Sequence, residues 1–174
     1  AFYPTAAHME TAIFELTGHH WPAPVFATPR ADDKLLAQSV RALHAALTGD
    51  ASALECESRF LWTLVQLVQQ YGDRRSAEQP TGHEQAAIRR VQAYIQENYA
   101  EPVALAQLAD HVNLSRYYLL RTFREALGMP PHTYLESIRI QQAQNFMAAG
   151  LPLAEVAHTV CYSSQSHFTR SFKQ

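Results

Sequence analysis

The chain has 174 residues, 47% of them hydrophobic, and a formal net charge of −2. That is enough apolar material for one large core or two small ones, and it excludes an unfolded chain. The apolar runs fall far short of the roughly 18 residues that a membrane span needs, and no basic-then-apolar leader opens the sequence.

Residues 5–17 predict a short helix. Thr5 is placed to cap it, Ala6, Met9, Ile13 and Leu16 recur at helical spacing, and Gly18 follows as a stop. Residues 18–30 are rich in Pro and His and read as a loop, with a short extended piece at 25–27. A helical hairpin is predicted over 31–72. Asp32 is its expected N-cap, and Leu35, Leu36, Val40, Leu43 and Leu47 form the apolar stripe of its first arm. Gly49-Asp50 makes the turn. The second arm runs from about Ser52 to Tyr71 with Leu54, Phe60, Leu61, Leu64, Val65 and Val68 on its apolar side, and Gly72 ends it. Residues 73–82 are polar, contain Pro and Gly, and read as a linker. Another helix begins near His83, marked by Ile88, Val91, Tyr94 and Ile95, and stops before Pro102.

The next segment contains a repeat. Residues 105–115 read Leu-Ala-Gln-Leu-Ala-Asp-His-Val-Asn-Leu-Ser, and residues 153–163 read Leu-Ala-Glu-Val-Ala-His-Thr-Val-Cys-Tyr-Ser, at an offset of 48. At an offset of 49, Leu119, Arg121, Phe123 and Arg124 correspond to Phe168, Arg170, Phe172 and Lys173. Each position has a physical task. Ala109 and Ala157 suit a close crossing of two helices. Val112 and Val160 close a small core beneath a turn. Asn113 tolerates the left-handed backbone that such a turn requires. Leu114 and Tyr162 fill the space beside the turn, Ser115 and Ser163 can cap the following helix, and the later apolar pairs anchor it. These are the requirements of a helix-turn-helix, whose second helix enters the major groove. One copy is a weak signal; two in register are specific. Between them, residues 131–149 predict one helix, opened by Pro131, closed by Gly150, and packed through Tyr134, Leu135, Ile138, Ala143, Phe146 and Met147. It would span about 27 Å, against roughly 34 Å between successive major-groove faces.

Charge distribution suits such a reading better than net charge does. Residues 1–82 carry six basic and nine acidic groups, and residues 83–174 carry eight and seven. Arg116, Arg121 and Arg124 share a stretch free of acids.

The run Leu-Ser-Arg-Tyr-Tyr-Leu-Leu-Arg-Thr-Phe-Arg at 114–124, then Gly128, Pro131, Tyr134, Arg139 and Ala143, and Ser-Gln-Ser-His-Phe-Thr-Arg-Ser-Phe-Lys at 164–173 carry a family resemblance. From about Ile88 onward the sequence resembles the AraC/XylS family of bacterial transcription regulators. The resemblance implies an all-α chain: a helical hairpin followed by a bipartite helix-turn-helix domain with a long connecting helix. Residues 1–72 would be the C-terminal remnant of a sensor and dimerisation domain, 73–82 a linker, and 83–174 the DNA-binding domain, with helix-turn-helix units at 104–127 and 153–174. Residues 1–3 would be the tail of a β-barrel lying upstream, and the chain would be a fragment. The family pattern puts Tyr117, Leu120 and Arg121 on base edges in the first unit, and Gln165, Ser166, Thr169 and Arg170 in the second. Arg116, Arg124 and Lys173 would meet phosphates. All five exposed positions of the first recognition helix are expected to be Arg116, Tyr117, Leu120, Arg121 and Arg124, and Arg139 is expected to make an internal contact. Implied partners are double-stranded DNA, RNA polymerase, a second copy through 31–72, and a small-molecule effector bound upstream; no membrane and no cofactor are implied.

One departure stands out. The family has Gly at the second turn, where this chain has Cys161, and a non-Gly residue with positive φ costs about 1 kcal/mol or more. Either that turn is reshaped or the unit is weakened. Cys56 and Cys161 have neither metal-ligand nor CxxC spacing, which reads as a reduced, cytoplasmic protein with Cys56 an inert packed thiol. His8, His19 and His20 lack chelating geometry, and no GxSxG, Walker or GxGxxG motif supports catalysis. A repair enzyme with a similar helical domain would need a cysteine cluster near its N-terminus. The remaining alternative is a helical protein-interaction and dimerisation module that binds no DNA.

Overall fold

The computed structural model describes residues 4–26, 32–71 and 84–162, together with 168, 169 and 172. Among them lie eight helices and no strand. Capping sets their boundaries. Helix α1 (Ala6–Thr17) starts at Thr5, whose hydroxyl accepts from the His8 amide while the His8 ring accepts from the Thr5 amide; Gly18, at φ 71°, ends it. Residues 25 and 26 form no strand, and Ala27 lies outside the described residues.

Helix α2 (Lys34–Thr48) is capped by Asp33 rather than by Asp32. Its Oδ1 accepts from the amides of Leu35 and Leu36 at 2.8 and 3.2 Å. The buried face also differs from the expected stripe. Leu36, Leu43 and Ala46 pack inward, whereas Leu35 and Leu47, expected on the apolar stripe, are 70% and 58% exposed. Gly49 makes the turn for steric reasons: a Cβ there would lie 2.9 Å from the Ala45 carbonyl oxygen. Helix α3 (Ala53–Tyr71) returns antiparallel and buries Leu54, Leu61, Leu64, Val65 and Val68, with Phe60 half-buried. Gly72 and the expected linker at 73–82 lie outside the described residues.

Helices α4 (Glu84–Glu97), α5 (Leu105–Val112) and α6 (Arg116–Leu127) follow, then α7 (Pro131–Ala148) and α8 (Leu153–Thr159). One large apolar cluster runs from Met9, Ile13 and Leu16 through Leu54, Leu64 and Val68 to Val91, Leu105, Leu119, Phe123 and Leu135. The core of α5 and α6 is therefore continuous with that of α1 and α3. A second, smaller cluster joins Ala143 of α7 to Val156, Ala157, Val160, Tyr162 and Phe168. Helix α7 serves both. Leu135, with Tyr134 and Ile138 beside it, belongs to the first, while Ala143, with Ile140, Phe146 and Met147, belongs to the second. Arg139, buried at mid-helix, donates from Nε to the Tyr99 carbonyl at 2.8 Å and from a terminal nitrogen to the Glu101 carbonyl at 2.9 Å. The expected internal contact of Arg139 is thus a clamp between α7 and the α4–α5 loop.

Two residues of this frame carry costs. Cys161 sits at φ 61°, so the second turn is not reshaped to avoid the left-handed region. Replacing it with Gly removes the Cβ strain but adds chain entropy to the unfolded state. The expected net result for Cys161→Gly is a gain of roughly 0.5–1 kcal/mol in urea unfolding; a loss would mean that thiol packing outweighs the strain. His132, at the start of α7, is buried with no hydrogen-bond partner for Nδ1 among the described residues. Burial lowers its pKa from 6.5 to about 4, against a smaller upward pull from Glu55. The folded chain therefore resists a proton that the unfolded chain accepts. Stability should be unaffected by this group above pH 6.5 and fall as pH drops towards 4, by about 3 kcal/mol in all. Urea melts across that range should show the slope, and His132→Leu should flatten it.

Candidate nucleic-acid interface

The two repeats fold into matching corners. In the first, Ala109 is buried where α5 meets α6, Asn113 takes φ 55°, and the Leu114 amide donates to the Ala109 carbonyl at 3.1 Å. In the second, Ala157 is buried, Cys161 takes φ 61°, and the Tyr162 amide donates to the Ala157 carbonyl at 2.9 Å. The bond from Asn113 N to Asp110 O is likewise matched by that from Cys161 N to His158 O. The same backbone turn is thus built twice, once on Asn and once on Cys.

Beyond the first turn, the Ser115 hydroxyl caps α6 by accepting from the Tyr118 amide at 3.2 Å. Leu119 and Phe123 are fully buried and fix the rotation of α6 about its axis. Beyond the second turn, Phe168 is buried with its ring edge against Tyr162 at 5.2 Å between centroids, Thr169 is half-buried and Phe172 is exposed. Ser163, Gln165, Ser166, Arg170 and Lys173 lie outside the described residues.

The expected reading face of α6 is not open. Tyr117 and Leu120, expected to be exposed, are 6% and 2% exposed. Helices α1 and α3 pack over them. The Trp62 ring of α3 lies 5.9 Å from that of Tyr117. Burial pushes the Tyr117 hydroxyl pKa above its ordinary value, partly offset by Arg121. Amphipathic spacing identifies these positions as part of an apolar or amphipathic surface but cannot say which element covers it.

The arginines are engaged as well. Arg116 Nε lies 2.6 Å from Glu15 Oε1. Arg121 lies over the Tyr118 ring at 5.0 Å, with Nε 3.7 Å from Glu125. Arg124 lies over the Trp62 ring at 5.0 Å. Glu15 does more than pair with Arg116: its other carboxylate oxygen accepts from the Tyr117 amide at 3.3 Å, and its carbonyl accepts from the Ser115 hydroxyl at 3.0 Å. At α5, Ala104 offers no side-chain cap, and Glu57 of α3 accepts from the Leu105 amide at 2.9 Å. Carboxylates from the first two-fifths of the chain therefore occupy the N-termini of both helices of the first unit. Glu15, Glu57 and Trp62 are absent from the expected site, and no local pattern marks them. A cavity of about 280 Å³ remains beside this contact, lined by Ser58, Trp62, Leu120, Arg124 and His132 among others.

Comparison with known proteins agrees with the repeat. A family model described as a helix-turn-helix domain matches residues 108–174. An uncharacterized HTH-type transcriptional regulator of Bacillus subtilis, YbfI, is 32% identical over 162 residues, covering 91% of this chain and 57% of the relative. The HTH-type transcriptional activator RhaS of Pectobacterium carotovorum is 30% identical over 142 residues, covering 80% and 50%. The chain thus spans about half the length of these curated relatives. A crystal structure of a Chromobacterium violaceum transcriptional regulator, described as AraC-type, shares the fold at a TM-score of 0.50 and 22% identity, over 53% of this chain and 84% of that one. Two matching turns on either side of one connecting helix, the helix-turn-helix match and these relatives together show that the chain carries a helix-turn-helix domain similar to those of HTH-type transcription regulators.

Proposed function

We propose that the chain reads double-stranded DNA through two recognition helices set into adjacent major-groove segments, as the DNA-binding part of an effector-responsive transcription regulator. The observation that carries this reading is the duplicated corner, with the same turn hydrogen bonds at Asn113 and Cys161. Helix α7 supports it: its 18 residues span about 27 Å, a suitable spacer between neighbouring groove faces.

In this reading Arg121 and Arg170 pair with guanine edges, Gln165 with adenine, and Leu120 with a thymine methyl, while Tyr117, Ser166 and Thr169 complete the base contacts. Arg116, Arg124 and Lys173 hold phosphates. Residues 1–72 belong to the end of a sensor and dimerisation domain and 73–82 to a linker. The exposed Leu35 and Leu47 of α2 support pairing with a second copy through 31–72. Contact with RNA polymerase, activation of transcription, a small-molecule effector and a cytoplasmic location follow from the same family reading. No described helix is long and apolar enough to cross a membrane. Those two exposed leucines also favour a second reading, a helical interaction module without DNA binding.

Selection of duplexes from a random library, followed by titration at several salt concentrations, separates the two. The expected product is a motif of two short blocks about one helical turn apart, bound less tightly as salt rises. Arg121→Ala and Arg170→Ala should each weaken binding by about 1–3 kcal/mol and relax one block. A single enriched block would mean that only the first unit reads DNA. No enrichment and no salt dependence from folded protein would leave the interaction module.

A further inference from the structure

The contact between α6 and the first part of the chain has the chemistry of a DNA contact. A recognition helix presents three things to a duplex: an N-terminus that accepts an anion, cationic side chains that reach phosphates, and a face that meets base edges. All three are filled from within this chain. The Glu15 carboxylate sits at the N-terminus of α6, taking the Tyr117 amide and the Arg116 guanidinium. The Trp62 ring meets that of Tyr117 at a tilt of 36°, and its own face takes the Arg124 guanidinium. Leu120 is sealed beneath the same helix, and Glu57 takes the N-terminus of α5.

We infer that α1 and α3 are an internal occupant of the DNA-reading surface of α6, with the Glu15 carboxylate in the place of a backbone phosphate and Trp62 in the place of a base. The inference rests on the DNA-reading function proposed above. One surface cannot hold both partners. Tyr117 and Leu120 cannot enter a groove while α3 covers them, and Arg116 cannot pair with a phosphate without leaving Glu15. The form described here is therefore closed, and DNA binds only the fraction of molecules in which α1 and α3 have left α6. Apparent affinity is reduced by that fraction, and any change that weakens the cover raises affinity without adding a contact to DNA.

The composition of the cover suits release. Its polar anchors, Glu15 with Arg116, Ser115 with the Glu15 carbonyl and Glu57 with the Leu105 amide, can each be exchanged for water or phosphate. The cavity lined by Ser58, Trp62, Leu120 and His132 leaves the seam incompletely packed, and the Ser58 hydroxyl has no hydrogen-bond partner among the described residues.

The test compares the parent chain with Trp62→Ala, which leaves charge unchanged, and with Glu15→Ala. Glu10→Ala, an exposed position on the same helix, controls for the loss of one negative charge. Each protein is run through the library selection, titrated with the enriched duplex, and followed without DNA by hydrogen exchange at the amides of 116–124. Trp62→Ala and Glu15→Ala should expose those amides while α4 stays protected, and should bind the duplex at least tenfold more tightly than parent and Glu10→Ala. Exposed amides with unchanged or weaker affinity for a duplex that the parent also binds would overturn the internal cover and leave the DNA reading standing. Amides as protected as in the parent, in both variants, would overturn it too. Exposed amides and no enriched duplex for any protein would remove the DNA reading, and the inference with it. Should Glu15→Ala fail to fold, Trp62→Ala alone decides.

Discussion

A carboxylate buried to 5% exposure needs full satisfaction or it costs several kcal/mol, and Glu15 is such a group. Its donors are all on the first turn of α6: the Arg116 guanidinium and the Tyr117 amide, with the Ser115 hydroxyl on its carbonyl. Helix α1 is apolar along Met9, Ile13 and Leu16 and would pack in many orientations on a surface rich in leucine. The carboxylate removes that freedom. With α1 set at the head of α6, α3 packs against both, and the Trp62 ring lies beside that of Tyr117. The cover, the closed reading face and the continuity of the large core all depend on one acid finding its donors.

The second unit is built on less. Among the described residues its core is six buried residues, against more than twenty in the first cluster, and its turn stands on Cys161 where a side chain with positive φ is strained. What holds it is α7. Ala143 allows α8 to approach closely, and Arg139 and Tyr99 tie the helix back to the first unit. The two units share one support.

The parts legible in the sequence are those governed by neighbours. Thr5, Gly18, Asn113, Ser115 and Gly128 act within a few residues of themselves, and each does what its chemistry suggests. The close crossings at Ala109 and Ala157 were legible because the pattern occurs twice. At the start of α2, two adjacent aspartates are equivalent in pattern, and only the position of the chain entering α2 selects Asp33. The larger divergence concerns the site. Arg116 and Glu15 are 101 residues apart, and Leu105 and Glu57 are 48 apart. Periodicity locates an amphipathic face but not its partner, so Tyr117 and Leu120 read as free when they are covered. Leu35 and Leu47 err the other way, read as packed when they face outward.

The length of α7 has a geometric meaning of its own. Eighteen residues make five turns at about 3.6 residues each, so Ala149, the cap that follows α7, returns to nearly the azimuth of Pro131 about its axis. Adding a single residue inside α7 would rotate the second corner by about 100° and advance it by only ~1.5 Å, a large error in direction for a small one in distance. Length changes in this connecting helix are thus quantised: whole turns preserve the relative direction of its two ends, and single residues do not.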